Sequence, residues 1–201
     1  NEKIKKEFES IGFFVGEHPL KSDLGILRQY KVFSYVDFKI NDKSKEGMIA
    51  GTLISIQEKK TAKGNPYAIL KFVDLSSMFE LFIFSEKLIE NRINLIVGNS
   101  FLIKVKKDKN NKDGIERINL DNIFLISNLK NKNIEKVTFK ITNINSLSLI
   151  RDRLNKKGSA EVNIIYEDKS SAIYSFNLNS RLKVLQKDIE FLENNHIKTY
   201  F

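Results

Sequence analysis

Between residues 47 and 125 the hydrophobic pattern alternates with a period of two in five separate runs, and this constrains the fold more than any other feature. The first run is GMIAGTLISIQ, starting at Gly47. A basic loop, EKKTAKGN, follows and ends at Asn65. PYAILKFVD and MFELFIF come next, joined by a tight turn at residues 75–77. The segment SEKLIENRINLI reads as helical over residues 85–96. Gly98 then leads into SFLIKVKK, a polar tip DKNNKDG, and IERINLDNIFLI. Three strands, a helix and two strands predict a small five-stranded barrel.

That order is the one found in the OB-fold, which takes ligand on strands 2 and 3 and on the loops L12 and L45. The expected fold class is therefore mixed α+β with three segments. Residues 1–46 read as a short helical segment and linker. A charged helix is expected over residues 2–10, with Ile4 and Phe8 on one face, and Gly12 and Gly16 break it. Pro19 suits the first turn of a second helix over residues 20–30, and residues 39–46 read as a polar linker. Residues 47–127 form the five-stranded OB-fold β-barrel. Residues 128–201 switch period twice, giving a βαββαβ domain of the split βαβ type. Its strands are expected at 136–142, 160–166, 172–178 and 196–201. Asn145 would cap a helix running to Lys157 and ended by Gly158, and Ser180 would cap a helix over 181–194.

Charge points toward a polyanion. The formal charge is +9. Basic and acidic residues number 9 and 8 in residues 1–46, 12 and 9 in 47–127, and 13 and 8 in 128–201. The barrel is not the most basic segment, so its case rests on where its lysines fall. The chain is also rich in Lys, Asn and Ile together, so compositional drift alone can make it basic.

Cysteine is absent, which excludes disulfides, thiolate zinc sites and a cysteine nucleophile, and fits a reducing, cytoplasmic compartment. The two histidines, His18 and His196, are far apart and form no metal-binding pair. No apolar run reaches the roughly 18 residues of a membrane span. No phosphate-cradling loop, nucleophile elbow or dinucleotide-binding turn is present, and no catalytic constellation emerges. The first residue is Asn rather than Met, so the chain is expected to be a piece of something longer.

The candidate binding residues lie in the barrel. Lys59, Lys60 and Lys63 fall in the first basic loop, with Gly64 letting the backbone turn. Lys104, Lys106 and Lys107 end strand 4, Lys112 sits in the following tip, and Arg117 lies beyond it. Such residues would neutralise phosphates with little sequence preference and strong salt dependence. In strand 2, Ala68, Leu70 and Phe72 alternate with Tyr67, Ile69, Lys71 and Val73, and the lysine marks the outer set. In strand 3, Phe79, Leu81 and Ile83 read as inner, leaving Glu80, Phe82 and Phe84 on the other face. Tyr67 and Phe82 are the candidate stacking platforms. Phe84 is expected to pack under the helix or against a neighbouring domain.

The run EFESIGFFVGEHPL over residues 7–20 resembles a segment of the bacterial replicative DNA polymerase III alpha subunit. There a glutamate-bearing helix leads into Leu-Gly-Phe/Tyr and then a Gly-x-His-Pro-Leu/Ile step. The matching residues here are Glu7, Ile11-Gly12-Phe13 and Glu17-His18-Pro19-Leu20. A barrel with Lys63-Gly64-Asn65 in its first loop, and the βαββαβ tail, agree with that family's C-terminal region. Two departures are Ala62, where a second basic residue is frequent, and Ser77, where a glycine is frequent.

The resemblance implies a noncatalytic fragment of a DNA-directed DNA polymerase, a nucleotidyltransferase. It implies an OB-fold that holds single-stranded template DNA and a tail that docks the tau subunit of the clamp loader. The Mg²⁺-binding active site and the sliding-clamp motif would lie upstream, so no cofactor is expected in this fragment. Two other readings of the residues stand beside it: a tRNA-binding OB module of an aminoacyl-tRNA synthetase, and a protein–protein adaptor.

Overall fold

The computed structural model describes residues 18–108, 117–130, 132 and 134–201. The chain divides into two compact units, Asn1–Ser127 and Asn128–Phe201. Each is built on its own sheet, one of five strands and one of four.

In the first unit, Pro19–Asp23 forms a 3₁₀ turn, opened by the fixed φ of Pro19 and by His18 Nδ1, which accepts the Leu20 N–H at 3.1 Å. Helix α1 (Leu24–Gln29) follows. The expected single helix over 20–30 is thus split, because Asp23 adopts φ −114°, ψ 10° and interrupts the α-helical backbone. Helix α2 (Tyr35–Ile40) reaches into the expected linker. Ser34 starts it by accepting the Asp37 N–H at 3.0 Å. The helix expected over residues 2–10 lies outside the described residues.

The sheet is made of β1 (Glu46–Lys60), β2 (Pro66–Val73), β3 (Met78–Phe84), β4 (Ser100–Asp108) and β5 (Arg117–Leu125). Its order is β3-β2-β1-β4-β5, all neighbours antiparallel. Strand β1 is central and serves two partners. Glu46 to Thr52 pair with β4, and Thr52 to Lys60 pair with β2. A register shift between Leu53 and Ser55 bends it between the two halves. Among the described residues no hydrogen-bonded ladder joins β3 to β5, so the closed barrel expected from the strand count is not found.

The alternation predicted for β2 and β3 holds except at Val73, which reads as part of the outer set but is buried at the end of β2. Ala68, Leu70, Phe72, Phe79, Leu81 and Ile83 are buried in one cluster with Phe38, Leu53 and Phe101. Each such side chain contributes about 1.5–3 kcal/mol by leaving water. Helix α3 (Ser85–Asn91) buries Leu88 in this core. It is shorter than the expected 85–96, since residues 92–98 turn toward Gly98 at φ +93°. A short helix, α4 (Ile126–Leu129), follows β5 and includes the boundary at Ser127.

The second unit has the predicted element order, βαββαβ. Its elements are β6 (Lys136–Ile141), α5 (Ser146–Arg153), β7 (Lys157–Glu167), β8 (Ile173–Asn177), α6 (Gln186–Asn194) and β9 (Lys198–Tyr200). The sheet order is β8-β7-β6-β9, with β6 and β7 parallel across the α5 crossover. Val137, Phe139, Val162, Ile150, Ile189 and Leu192 fill its core.

Both helices are shorter than expected, for a shared reason. Residues 181–183 run extended against the start of β7. Leu182 bridges Lys157 and Ala160, and Lys183 N–H donates to Lys156 O at 2.8 Å. This pulls Lys157 out of α5 and residues 181–185 out of α6. Gly158 is accordingly not a helix terminator but a point of close backbone approach: a Cβ there would lie 2.4 Å from Lys183 N. Helix α6 is started by Asp188, whose Oδ2 accepts the Leu185 N–H at 3.0 Å, not by Ser180.

Candidate nucleic-acid interface

The cross-strand register collects three aromatic rings on the outer face of β2 and β3. Tyr67 sits opposite Phe84, Ile69 opposite Phe82, and Lys71 opposite Glu80. The ring centroids lie 6.0 Å apart for Tyr67–Phe84, 6.3 Å for Tyr67–Phe82 and 6.5 Å for Phe82–Phe84. Phe82 is 49 % exposed and Phe84 58 %, so neither packs into the unit's core. Phe84 therefore joins Tyr67 and Phe82 on this face and does not pack under α3. The signal was in the sequence: residues 80, 82 and 84 are all outward by alternation.

Strand β1 adds the third row of the face. Ser55 sits opposite Lys71, Gln57 opposite Ile69, and Lys59 opposite Tyr67. The long β1 changes the expected position of two lysines. Lys59 and Lys60 belong to the strand, not to a loop, because their backbones pair with Tyr67 and Pro66. Alternation then separates them. Lys59 shares the aromatic face, whereas Lys60 shares the opposite set with Glu58, which pairs with Arg92.

Only Lys63 of the three is in the turn. The Thr61 hydroxyl accepts the Asn65 N–H at 3.1 Å, Thr61 O accepts the Gly64 N–H at 2.8 Å, and Gly64 takes φ +82°. That left-handed backbone favours glycine and leaves Lys63 exposed at the tip. Lys71 and Glu80 approach to 3.9 Å across the strands, so the acid is balanced by its neighbour.

The β4–β5 side is different. Lys104 and Lys106 do share a face, but Glu46 and Asp121 occupy it with them. Lys104 Nζ lies 3.2 Å from Glu46 and 3.5 Å from Asp121, and Lys106 lies 3.4 Å from each. Hydrogen bonds from Lys104 and Lys106 hold the Glu46 carboxyl below the usual carboxylate range, and the Glu46 contact raises the Lys104 ammonium. These two lysines are charge-balanced within the protein.

Lys107 Nζ donates to Lys39 O at 2.9 Å and to Asn41 O at 3.0 Å, and lies 5.4 Å over the Phe38 ring. It closes the C-terminal end of α2, where a cation is favourable. Arg117 opens β5 opposite Asp108. Lys112 lies outside the described residues. The expected basic sites thus divide: Lys59 shares the aromatic face, Lys63 is exposed in the turn that follows β1, and Lys104, Lys106 and Lys107 have structural partners.

Asp74 fixes this geometry. It is buried at the β2–β3 turn, where Oδ1 accepts the N–H groups of Ser76 at 2.7 Å and Ser77 at 2.6 Å. Oδ2 accepts the Tyr35 N–H at 2.7 Å, tying α2 to the turn. The turn-bonding role is the one expected of Asp at this position. The link to Tyr35, 39 residues away, was not visible in the sequence.

The two sheets and the aromatic, lysine-edged face define a mixed α+β chain with a candidate binding surface on its first unit. Among the described residues no group of three or more His, Asp or Glu is placed to hold a metal ion, and no helix is long and apolar enough to cross a membrane. No protein-family model matches the chain.

Curated relatives do match, and they are DNA polymerase III alpha subunits. The chain is 30 % identical over 99 residues to that of Rickettsia bellii, covering 48 % of this chain and 8 % of the relative. It is 29 % identical over 176 residues to that of Buchnera aphidicola, covering 83 % and 15 %. It is 24 % identical over 141 residues to that of Halalkalibacterium halodurans, covering 70 % and 12 %. The resemblance to this family is thus borne out, and the chain spans only about a tenth of the length of these relatives.

Proposed function

We propose that this chain is a noncatalytic C-terminal part of a bacterial replicative DNA polymerase, and that its first unit holds single-stranded template DNA. The carrying observation is the trio of neighbouring rings on one face, Tyr67, Phe82 and Phe84, edged by Lys59, with Lys63 exposed in the turn that follows β1. Stacked aromatics beside cations suit unpaired bases, whose π-faces are accessible, with phosphates tracking along the lysines. We read the unit as an OB-fold. Its strand and helix order is that of the fold, and its rings lie on strands 2 and 3, where the fold takes ligand.

In this reading the parent chain is a DNA-directed DNA polymerase. Its Mg²⁺-dependent active site and sliding-clamp motif lie upstream, and it works in the cytoplasm. The second unit docks the tau subunit of the clamp loader. The similarity to DNA polymerase III alpha subunits supports these assignments.

Fluorescence anisotropy tests the binding reading. A labelled single strand, a duplex and a tRNA are titrated across a salt series. The expected result is preference for the single strand, with affinity falling steeply with salt. Replacing Lys59, Lys60 and Lys63 together by Ala should flatten the salt slope by about 1–2 units, with Lys59 and Lys63 contributing more than Lys60. Preference for tRNA would favour the synthetase reading, and no binding at low salt would leave the adaptor.

A further inference from the structure

The second unit contains a polar cleft of about 290 Å³ between the end of α5 and the start of α6. Its charged lining is Asp152, Arg153, Lys156, Lys183, Lys187 and Asp188. The two carboxylates are already engaged. Asp188 Oδ1 lies 2.8 Å from Arg153 Nε, and its Oδ2 caps α6. Asp152 Oδ1 accepts from Arg151 Nε at 3.0 Å. Among the described residues Lys156, Lys183 and Lys187 form no ion pair. Three lysines without an ion-pair partner therefore line one concavity.

The arrangement is built into the backbone. Lys183 N–H bonds Lys156 O at 2.8 Å, which places two of the lysines side by side from segments far apart in the sequence. Arg153 is fixed beside them. Its guanidinium stacks 4.7 Å from the Phe191 ring and its Nη2 lies 3.5 Å from Lys187 O. The unit also carries the largest excess of basic residues in the chain, 13 against 8, so its field draws anions in.

We propose that this cleft is a phosphate-binding site, taking a phosphate group of a di- or triphosphate or of a nucleic-acid backbone. Convergence of several cations on one small volume suits a ligand with high charge density. An acidic peptide spreads its charges along a chain and needs apolar anchor pockets as well. The only apolar residue of the lining is Leu185. The site lies wholly within the second unit and does not depend on the single-strand reading of the first.

The test is amide NMR of the full 201-residue chain titrated with pyrophosphate, then with an oligo-dT strand, then with a poly-glutamate peptide. Saturable shifts are expected at residues 153–156 and 183–188. The Lys156→Ala/Lys183→Ala/Lys187→Ala protein should bind pyrophosphate about 1,000-fold more weakly, each of the three lost charge-assisted contacts being worth about tenfold. The corresponding triple Lys→Arg protein should retain binding. Competition by oligo-dT at the same amides identifies backbone phosphate as the source, and binding of pyrophosphate alone identifies a free phosphate. Absence of saturation at millimolar pyrophosphate, unchanged binding by the Ala protein, or tighter binding of poly-glutamate would overturn the proposal. A Tyr67→Ala/Phe82→Ala protein should bind pyrophosphate normally, which separates this site from the aromatic face.

Discussion

Replacing Asp74 by Ala and by Asn tests whether one buried carboxylate holds the binding face in register. In the Ala protein three backbone N–H donors, those of Tyr35, Ser76 and Ser77, lose their acceptor. Each such loss costs about 1 kcal/mol where water can partly replace the bond, as at the exposed turn, and more where it cannot. The expected destabilisation is therefore about 3 kcal/mol. Asn keeps a carbonyl oxygen for Ser76 and Ser77 but turns an NH₂ group toward the Tyr35 N–H, so it should cost about 1–2 kcal/mol. Urea unfolding of the three proteins measures both values. Because the turn sets which residues of β2 and β3 oppose each other, the Ala protein should also lose single-strand affinity as its Tyr67–Phe84 pairing loosens. An Ala cost below about 1 kcal/mol, or an Asn protein as unstable as the Ala protein, would refute the reasoning.

Three further outcomes are expected. Phe82→Ala and Phe84→Ala should each weaken single-strand binding by about 1–3 kcal/mol with little loss of thermal stability, since both rings are exposed; anisotropy and melting curves check the two halves separately. Gly158→Ala should destabilise the second unit by about 1–3 kcal/mol in a denaturant titration, because the added Cβ meets the Lys183 backbone and not a side chain that could swing away. Burial lowers the His18 imidazole from its ordinary value of 6.5, against the opposing influence of Asp74. The unfolded chain then takes up the proton first. Stability should be fully present above pH 6.5 and decline as pH falls through the lowered folded value, and His18→Gln should remove that part of the pH dependence in melts.

The inner and outer sets of β2 and β3 were legible because alternation is a local property: each side chain's face follows from its neighbours two positions away. The order of strands in the first unit and of strands and helices in the second was legible for the same reason, whereas α2 and α4 were not foreseen. That Phe84 does not pack under α3 was not legible, because nothing local says whether an outward ring will be covered. Helix ends were misplaced where a distant segment competes for the backbone, as residues 181–183 do at Lys156. The lysines show the limit most sharply. Lys59 and Lys60 look equivalent in EKKTAKGN, and strand pairing sends them to opposite faces. Lys104 and Lys106 look like free cations, yet Glu46 and Asp121 meet them across β1, β4 and β5.

The sequence by itself therefore determined the periodicity, the succession of strands, the candidate rings and the similarity to DNA polymerase III alpha subunits. Only the tertiary structure decided which cations are already partnered, that no hydrogen-bonded ladder joins β3 to β5 among the described residues, and that Lys156, Lys183 and Lys187 line one cleft. The division is physical: facing is set by neighbours along the chain, whereas charge partners and concavities are set by register between segments that sequence distance does not relate.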